Sequence, residues 1–213
     1  MSVEFWEQHY GAKHRVWSGR VNPRLAEIAE TLSPGTALDV GCGEGADAIW
    51  LARHGWRVVG VDVSETALNR AAEDAARAGV AERISFERHD LSVSLPDGQF
   101  DLASVQFLHC PYDWDRDAVL RRVAERVAPG GVFVLVDHGS APSGMHEGHH
   151  HHFPSVHEVL EGLALDPERW ERLRVEAVER EMTGPDGQVA TISDNVIVLR
   201  RGRQSSAAPA TGR

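Results

Sequence analysis

Apolar residues along this chain fall into two patterns: short unbroken runs, and stretches where they return every third or fourth position. The runs are Ala37-Leu38-Asp39-Val40, Val58-Val59-Gly60-Val61, Ile84-Ser85-Phe86, residues 100–105, and Val132-Phe133-Val134-Leu135-Val136. Runs this short, bounded by turn residues, predict strands at about 36–40, 57–61, 84–86, 100–105 and 132–136, several covered on both faces. Between them, 44–54 carries Ala48, Ile49, Leu51 and Ala52 at helical spacing, and 115–128 carries Val119, Leu120, Val123 and Val127. Ser64 reads as the N-cap of an alanine-rich helix running to Gly79. Pro96-Asp97-Gly98 and Pro129-Gly130-Gly131 predict turns. A helix near 155–163 follows, then strands at about 170–181 and 190–200 joined by Gly184-Pro185-Asp186-Gly187. Residues 4–32, with Phe5, Trp6, His9, Tyr10, Leu25, Ile28, Ala29 and Leu32, predict a helical cap closed by Pro34-Gly35.

Alternation of strand and helix implies an α/β fold: a mostly parallel sheet, helices on both faces, and a closing antiparallel hairpin. One domain is expected over 1–201, and the small, polar 202–213 is expected to be a disordered tail. The chain has 213 residues, 42% hydrophobic and 25% charged, with a formal charge of −10. That charge disfavours nucleic acid as a partner, since the basic Arg200-Arg201-Gly202-Arg203 reads as a solvated end. Two cysteines make no disulfide framework. The start lacks a basic segment followed by an apolar run, and no stretch is long enough to span a bilayer. A cytoplasmic chain with a small-molecule substrate and no membrane partner is expected; oligomeric state stays open.

The chemistry concentrates at the ends of the runs. Gly41-Cys42-Gly43-Glu44-Gly45 follows the first strand, and Asp62 ends the second. Glycines let a backbone approach a ligand closely, and a carboxylate at that place can accept two ribose hydroxyls. The spacing is G-x-G-x-G, not the G-x-G-x-x-G of dinucleotide enzymes, which speaks against a nicotinamide-binding protein. It resembles motif I of class I S-adenosylmethionine-dependent methyltransferases. Asp62, Asp90, Phe100-Asp101 and Ala128-Pro129-Gly130-Gly131 stand in that family's order, and the resemblance covers about 36–138.

The resemblance implies a Rossmann-like, seven-stranded sheet and a cofactor pocket at its carboxyl edge. Asp39, Gly41 and Gly43 would face the amino-acid end of S-adenosylmethionine, and Asp62 with Val63 the ribose. Asp90 would meet the adenine amino group, Leu91 beside it is counted with the cofactor-binding residues, and Gln106 with Phe107 would lie under the reactive methyl group. Tyr10-Gly11 and 16–23 look like the cap of tellurite-resistance and thiopurine-type methyltransferases. By that likeness Trp17 packs on the cofactor and Arg20 pairs with its carboxylate; the plain alternatives are a core anchor and a surface charge. The activity implied is methyl transfer to a small acceptor with a thiol, chalcogen, oxygen or nitrogen nucleophile. Alternatives are a metal-handling or sensor module that binds the cofactor without turnover, and a protein or RNA methyltransferase.

Seven of the twelve histidines lie between 138 and 157. His146-Glu147-Gly148-His149-His150 matches H-E-x-x-H, but Gly144, Gly148, Pro142 and Pro154 oppose the helix a zinc protease needs. A solvated loop over 138–153, adventitious transition-metal affinity, and a metal centre using His146, His150 and His152 stay open. His109, beside Cys110, and His138, following Asp137, are the candidate catalytic bases.

Overall fold

In the computed structural model, which describes residues 3–140, 153–183 and 189–203, seven strands form one sheet in the order β3-β2-β1-β4-β5-β7-β6. The parallel part comprises β1 (Thr36–Val40), β2 (Arg57–Asp62), β3 (Ile84–Arg88), β4 (Phe100–Gln106) and β5 (Val127–His138). β6 (Trp170–Thr183) and β7 (Val189–Arg201) form the closing hairpin, and β7 runs antiparallel to β5. The order reverses direction between β1 and β4, so the crevice at their carboxyl ends is where an open α/β sheet receives its ligand.

The alternation along β5 divides the core. Phe133 and Leu135 point to one side with Leu38, Val105 and Ile197, where α5 (Arg116–Glu125) and α6 (Val156–Leu163) cover the sheet. Val132, Val134 and Val136 point to the other with Leu102 and Val58, under α2 (Pro23–Ala29) and α3 (Ala46–Arg53). Such a strand has no solvent face, which is why its sequence is apolar without a break. α4 (Glu65–Arg77) buries Ala67, Leu68, Ala71 and Ala75, one stripe at helical spacing. Helix starts follow the expected chemistry: Ser64 accepts the N–H of Ala67, Asp115 that of Ala118, and Ser155 with Glu158 forms a capping box. A cap of this kind contributes about 1 kcal/mol.

Two expectations change. Pro129-Gly130-Gly131 does not precede the fifth strand but interrupts it. β5 pairs Val127 with Phe100, bulges, and resumes with Val132 against Leu102, Gly130 taking φ of +86°. Bulge and turn use the same residues, so the local sequence does not separate them. Val127 accordingly belongs to the sheet and not to α5. The cap is two helices, α1 (Val3–Gly11) and α2, joined by an irregular segment over 12–22. A short 3-10 turn, Ala81–Arg83, precedes β3. No helix among the described residues is long and apolar enough to cross a membrane. The joining turn over 184–187 and the residues beyond 203 lie outside the described residues.

Candidate active site

The glycine-rich turn leaves β1 with left-handed backbone at Gly41 (φ +69°) and Gly43 (φ +51°). A Cβ on Gly41 would stand 2.7 Å from Leu108 Cδ1, and one on Gly43 2.8 Å from the Tyr10 hydroxyl. Only glycine meets both the conformation and the space. Asp62, at the end of β2, accepts the N–H of Gly43 on one carboxylate oxygen and that of Ser64 on the other, both at 2.9 Å. It therefore fixes the turn against the start of α4, and each oxygen keeps a further lone pair. Burial pushes its carboxyl up, and the Ser64 and Gly43 amides pull against that shift.

Asp39 lies wholly within the fold below the turn. Burial pushes it well up, and the charge of Asp47 adds to that. Asp47, held by the N–H of Asn22 at 2.7 Å, is itself pushed up by burial to about 6. Two carboxylates sharing one site cannot both ionise freely.

Glu44, between two glycines, was not among the expected site residues. It is 3% exposed and accepts the N–H groups of Val16 and Trp17 at 3.1 and 3.0 Å and the Arg70 guanidinium at 2.9 Å. Arg70 also donates to the carbonyl of Lys13. Glu7 of α1 reaches across to the N–H groups of Glu65 and Thr66 at the start of α4. The cap segment is thereby latched to the turn by carboxylates on backbone amides. Trp17, 53% exposed, donates from Nε1 to the Tyr10 hydroxyl at 3.1 Å and comes within 3.3 Å of the place a Gly43 Cβ would take. Arg20 stands exposed on an open cleft of about 1350 Å³ shared with Asn22, Trp50, Arg53 and Phe107.

The other expected residues divide. Asp90 follows β3 and accepts Ser92 N–H at 3.0 Å. Leu91 sinks into the core and offers the site no side chain, its carbonyl taken by Arg122. Val63 is buried, its carbonyl accepting from Arg88. Gln106 donates to Ser104 at 3.0 Å. Among the buried polar atoms with no hydrogen-bond partner in the described residues are Asp39 Oδ2, Gln106 Oε1, Trp6 Nε1 and His9 Nε2, while Asp137 Oδ2 and Arg116 Nη2, likewise without one, face each other as an ion pair. Native folds rarely leave such atoms orphaned, so the first four read as places for a polar ligand. With the glycine cradle and the acids after β2 and β3, they fit a nucleoside carrying an amino-acid arm.

His109 and His138 come together. Their rings stack 5.2 Å apart at 12°, and Phe107 also stacks on His138 at 4.4 Å. Beneath them Asp137 is fully buried, 2.6 Å from His109 Nε2 and 2.7 Å from an Arg116 nitrogen. Burial pushes the Asp137 carboxyl up, and the hydrogen bond from His109 and the Arg116 charge more than offset it. Burial pushes His138 down, toward the neutral imidazole. Asp137 carries the same signal as Asp62, an acid ending an apolar run. His146, His150 and His152 lie outside the described residues, which themselves contain no group of three or more metal-ligating side chains.

Residues 37–131 match the model of a methyltransferase domain. The chain is 38% identical over 113 residues to ribosomal RNA small subunit methyltransferase C of Alcanivorax borkumensis, covering 51% of this chain and 34% of that protein. It is 31% identical over 146 residues to thiocyanate methyltransferase 1 of Arabidopsis thaliana, 64% of each. The chain thus spans about a third to two thirds of the length of these relatives. A solved structure from work on conversion of a disulfide bond into a thioacetal group during echinomycin biosynthesis shares the fold, with TM-score 0.75, 24% identity, and 96% of this chain and 94% of that one covered.

Proposed function

We propose that this chain, which carries a class I S-adenosylmethionine-dependent methyltransferase domain, transfers the methyl group of S-adenosylmethionine to a small-molecule acceptor. The observation that carries the reading is the glycine-rich turn bonded through Gly43 to Asp62, inside the stretch that matches the methyltransferase domain. The two relatives act, by name, on ribosomal RNA and on thiocyanate, so the shared stretch speaks for the donor and not for the acceptor. The formal charge of −10 favours a small acceptor over a polyanion.

When bound, S-adenosylmethionine supplies a methyl group already activated on a sulfonium, and the chain supplies position. Gly41 and Gly43 would give backbone approach, Asp62 would accept from the ribose, and Asp90 would meet the adenine amino group. The Glu44 latch holds the cap segment near the turn. Gln106 and Phe107, at the end of β4, would lie under the methyl group. Calorimetry with S-adenosylhomocysteine, followed by mass spectrometry of an acceptor mixture, tests the reading. One molecule bound per chain and an acceptor heavier by one methyl group are expected. No binding would defeat the reading, and binding without any methylated product would count for a sensor module instead.

A further inference from the structure

We propose that His109 is the general base of the reaction, with Asp137 and Arg116 as its positioning residues, and that the acceptor is a protic nucleophile whose proton must leave during transfer. The inference rests on the methyltransferase reading and narrows its substrate class.

The geometry is that of an oriented imidazole. Asp137 has no exposure at all, accepts the N–H of His138 at 3.0 Å, and lies 2.6 Å from His109 Nε2 and 2.7 Å from an Arg116 nitrogen as ion pairs. A carboxylate against Nε2 fixes the proton there and leaves the Nδ1 lone pair on the other side of the ring. That ring is 42% exposed among the described residues, at the carboxyl edge of the sheet. Arg116 also donates from Nε to the carbonyl of Leu108 at 2.9 Å, gripping both the carboxylate and the peptide that carries the histidine. Phe107 stands at φ +50°, sparsely populated for a residue with a Cβ, and its carbonyl accepts the His109 N–H at 2.9 Å. Strain of this kind persists where the surroundings over-determine it, and it clusters at functional sites.

Charge is arranged for a base. Arg116 stands against Asp137 and offsets the charge of its carboxylate. His138 stacks flat on His109, and the groups around it are Asp137, Asp194 and Arg180, the last two paired with each other at 2.6 Å.

The step balances. The bond from sulfur to methyl breaks with its electron pair left on sulfur, the bond from acceptor to methyl forms, and the acceptor's proton passes to His109 Nδ1. The imidazolium is offset by Asp137 and loses its proton to solvent. A permanent anion such as thiocyanate carries no such proton and has no need of the base.

Two measurements test this. In the complex of the full chain with S-adenosylhomocysteine, nitrogen-15 NMR is expected to show neutral His109 protonated on Nε2; protonation on Nδ1 overturns the proposal. Second, 2-mercaptoethanol, phenol, benzylamine and thiocyanate are offered to the wild type and to His109→Gln. Protic acceptors are expected to slow by about 100-fold or more in the variant, with loss of the pH-dependent limb of kcat/KM and unchanged affinity for S-adenosylhomocysteine. Equal rates in the two proteins, or wild-type turnover of thiocyanate alone, overturn the base while leaving the transferase reading intact. Failure of the wild type to bind S-adenosylhomocysteine, or to methylate anything, removes that reading and the base with it.

Discussion

The carboxylate of Glu44 accepts the backbone N–H of Trp17 at 3.0 Å, a bond between the middle of the glycine-rich turn and a segment 27 residues earlier. Its neighbour Val16 donates to the same carboxylate, and Arg70 neutralises it from α4. The position of the cap is therefore set by the residue lying between the glycines themselves.

Glu44→Gln tests the latch. Glutamine keeps one oxygen acceptor but loses the charge facing Arg70, which is partly hydrated and so leaves a modest penalty, about 1–2 kcal/mol. Trypsin cleavage after Arg15 and Arg20 is expected to accelerate, and affinity for S-adenosylhomocysteine to fall about tenfold. Unchanged proteolysis together with unchanged affinity would dispose of the latch.

Asp62→Ala removes the acceptor of two buried amides. A loss of about 2–4 kcal/mol in stability is expected, from two unsatisfied donors at about 1–3 kcal/mol each with partial relaxation. Calorimetry should show no S-adenosylhomocysteine binding, while Asp62→Asn, which keeps one acceptor, should lose less stability. A folded alanine variant with wild-type affinity would defeat the pocket assignment.

Gly41→Ala places a methyl group on left-handed backbone and against Leu108. The conformational part costs about 1 kcal/mol or more and cannot be relieved by neighbours. The steric part can be. Gly41→Ala combined with Leu108→Ala is expected to melt above the sum of the two single losses, because the second change empties the space the first one fills. Strict additivity of the shifts in Tm would show that Leu108 does not press on the turn.

Asp47 gives a pH signature. Its carboxyl is pushed from an ordinary value near 4 to about 6 by burial, so the folded state holds its proton more tightly than the unfolded chain. Folding is then favoured below about pH 4, and that contribution is lost as pH rises through about 6. Asp47→Asn cannot ionise and still accepts from Asn22. Urea midpoints should show the variant more stable than wild type at pH 7.5, with the gap closing toward pH 4. A gap that stays constant or reverses sign would mean that Asp47 ionises in the fold without cost.

The parallel strands were readable in the sequence because burial on both faces leaves an unbroken apolar run, as at Val132–Val136. Ser64 was readable as a cap because its side chain acts three residues away. The glycine turn and Asp62 were visible together, and the match over 37–131 agrees with what they implied. What local pattern did not carry was pairing at a distance. Glu44 looked like the first residue of a helix, since nothing near it announces amides at 16 and 17. Asp137 ends an apolar run just as Asp62 does, yet its partners come from two other segments, at 109 and 116. The bulge in β5 was hidden for a different reason: Gly130 serves a turn and a bulge equally well.

The closing hairpin runs past the sheet it belongs to. β5 ends where His138 pairs with Asp194, and the earlier residues of β7, Val189 to Ile192, find their strand partners in β6 alone, from Thr183 back to Arg180. These rungs share no register with the five parallel strands. An arm of this kind can lengthen, shorten or change its side chains in evolution without moving Gly41, Gly43 or Asp62. The glycine turn and the overhang are mechanically separable, so the ribbon can be rebuilt while the turn and its acid stay as they are.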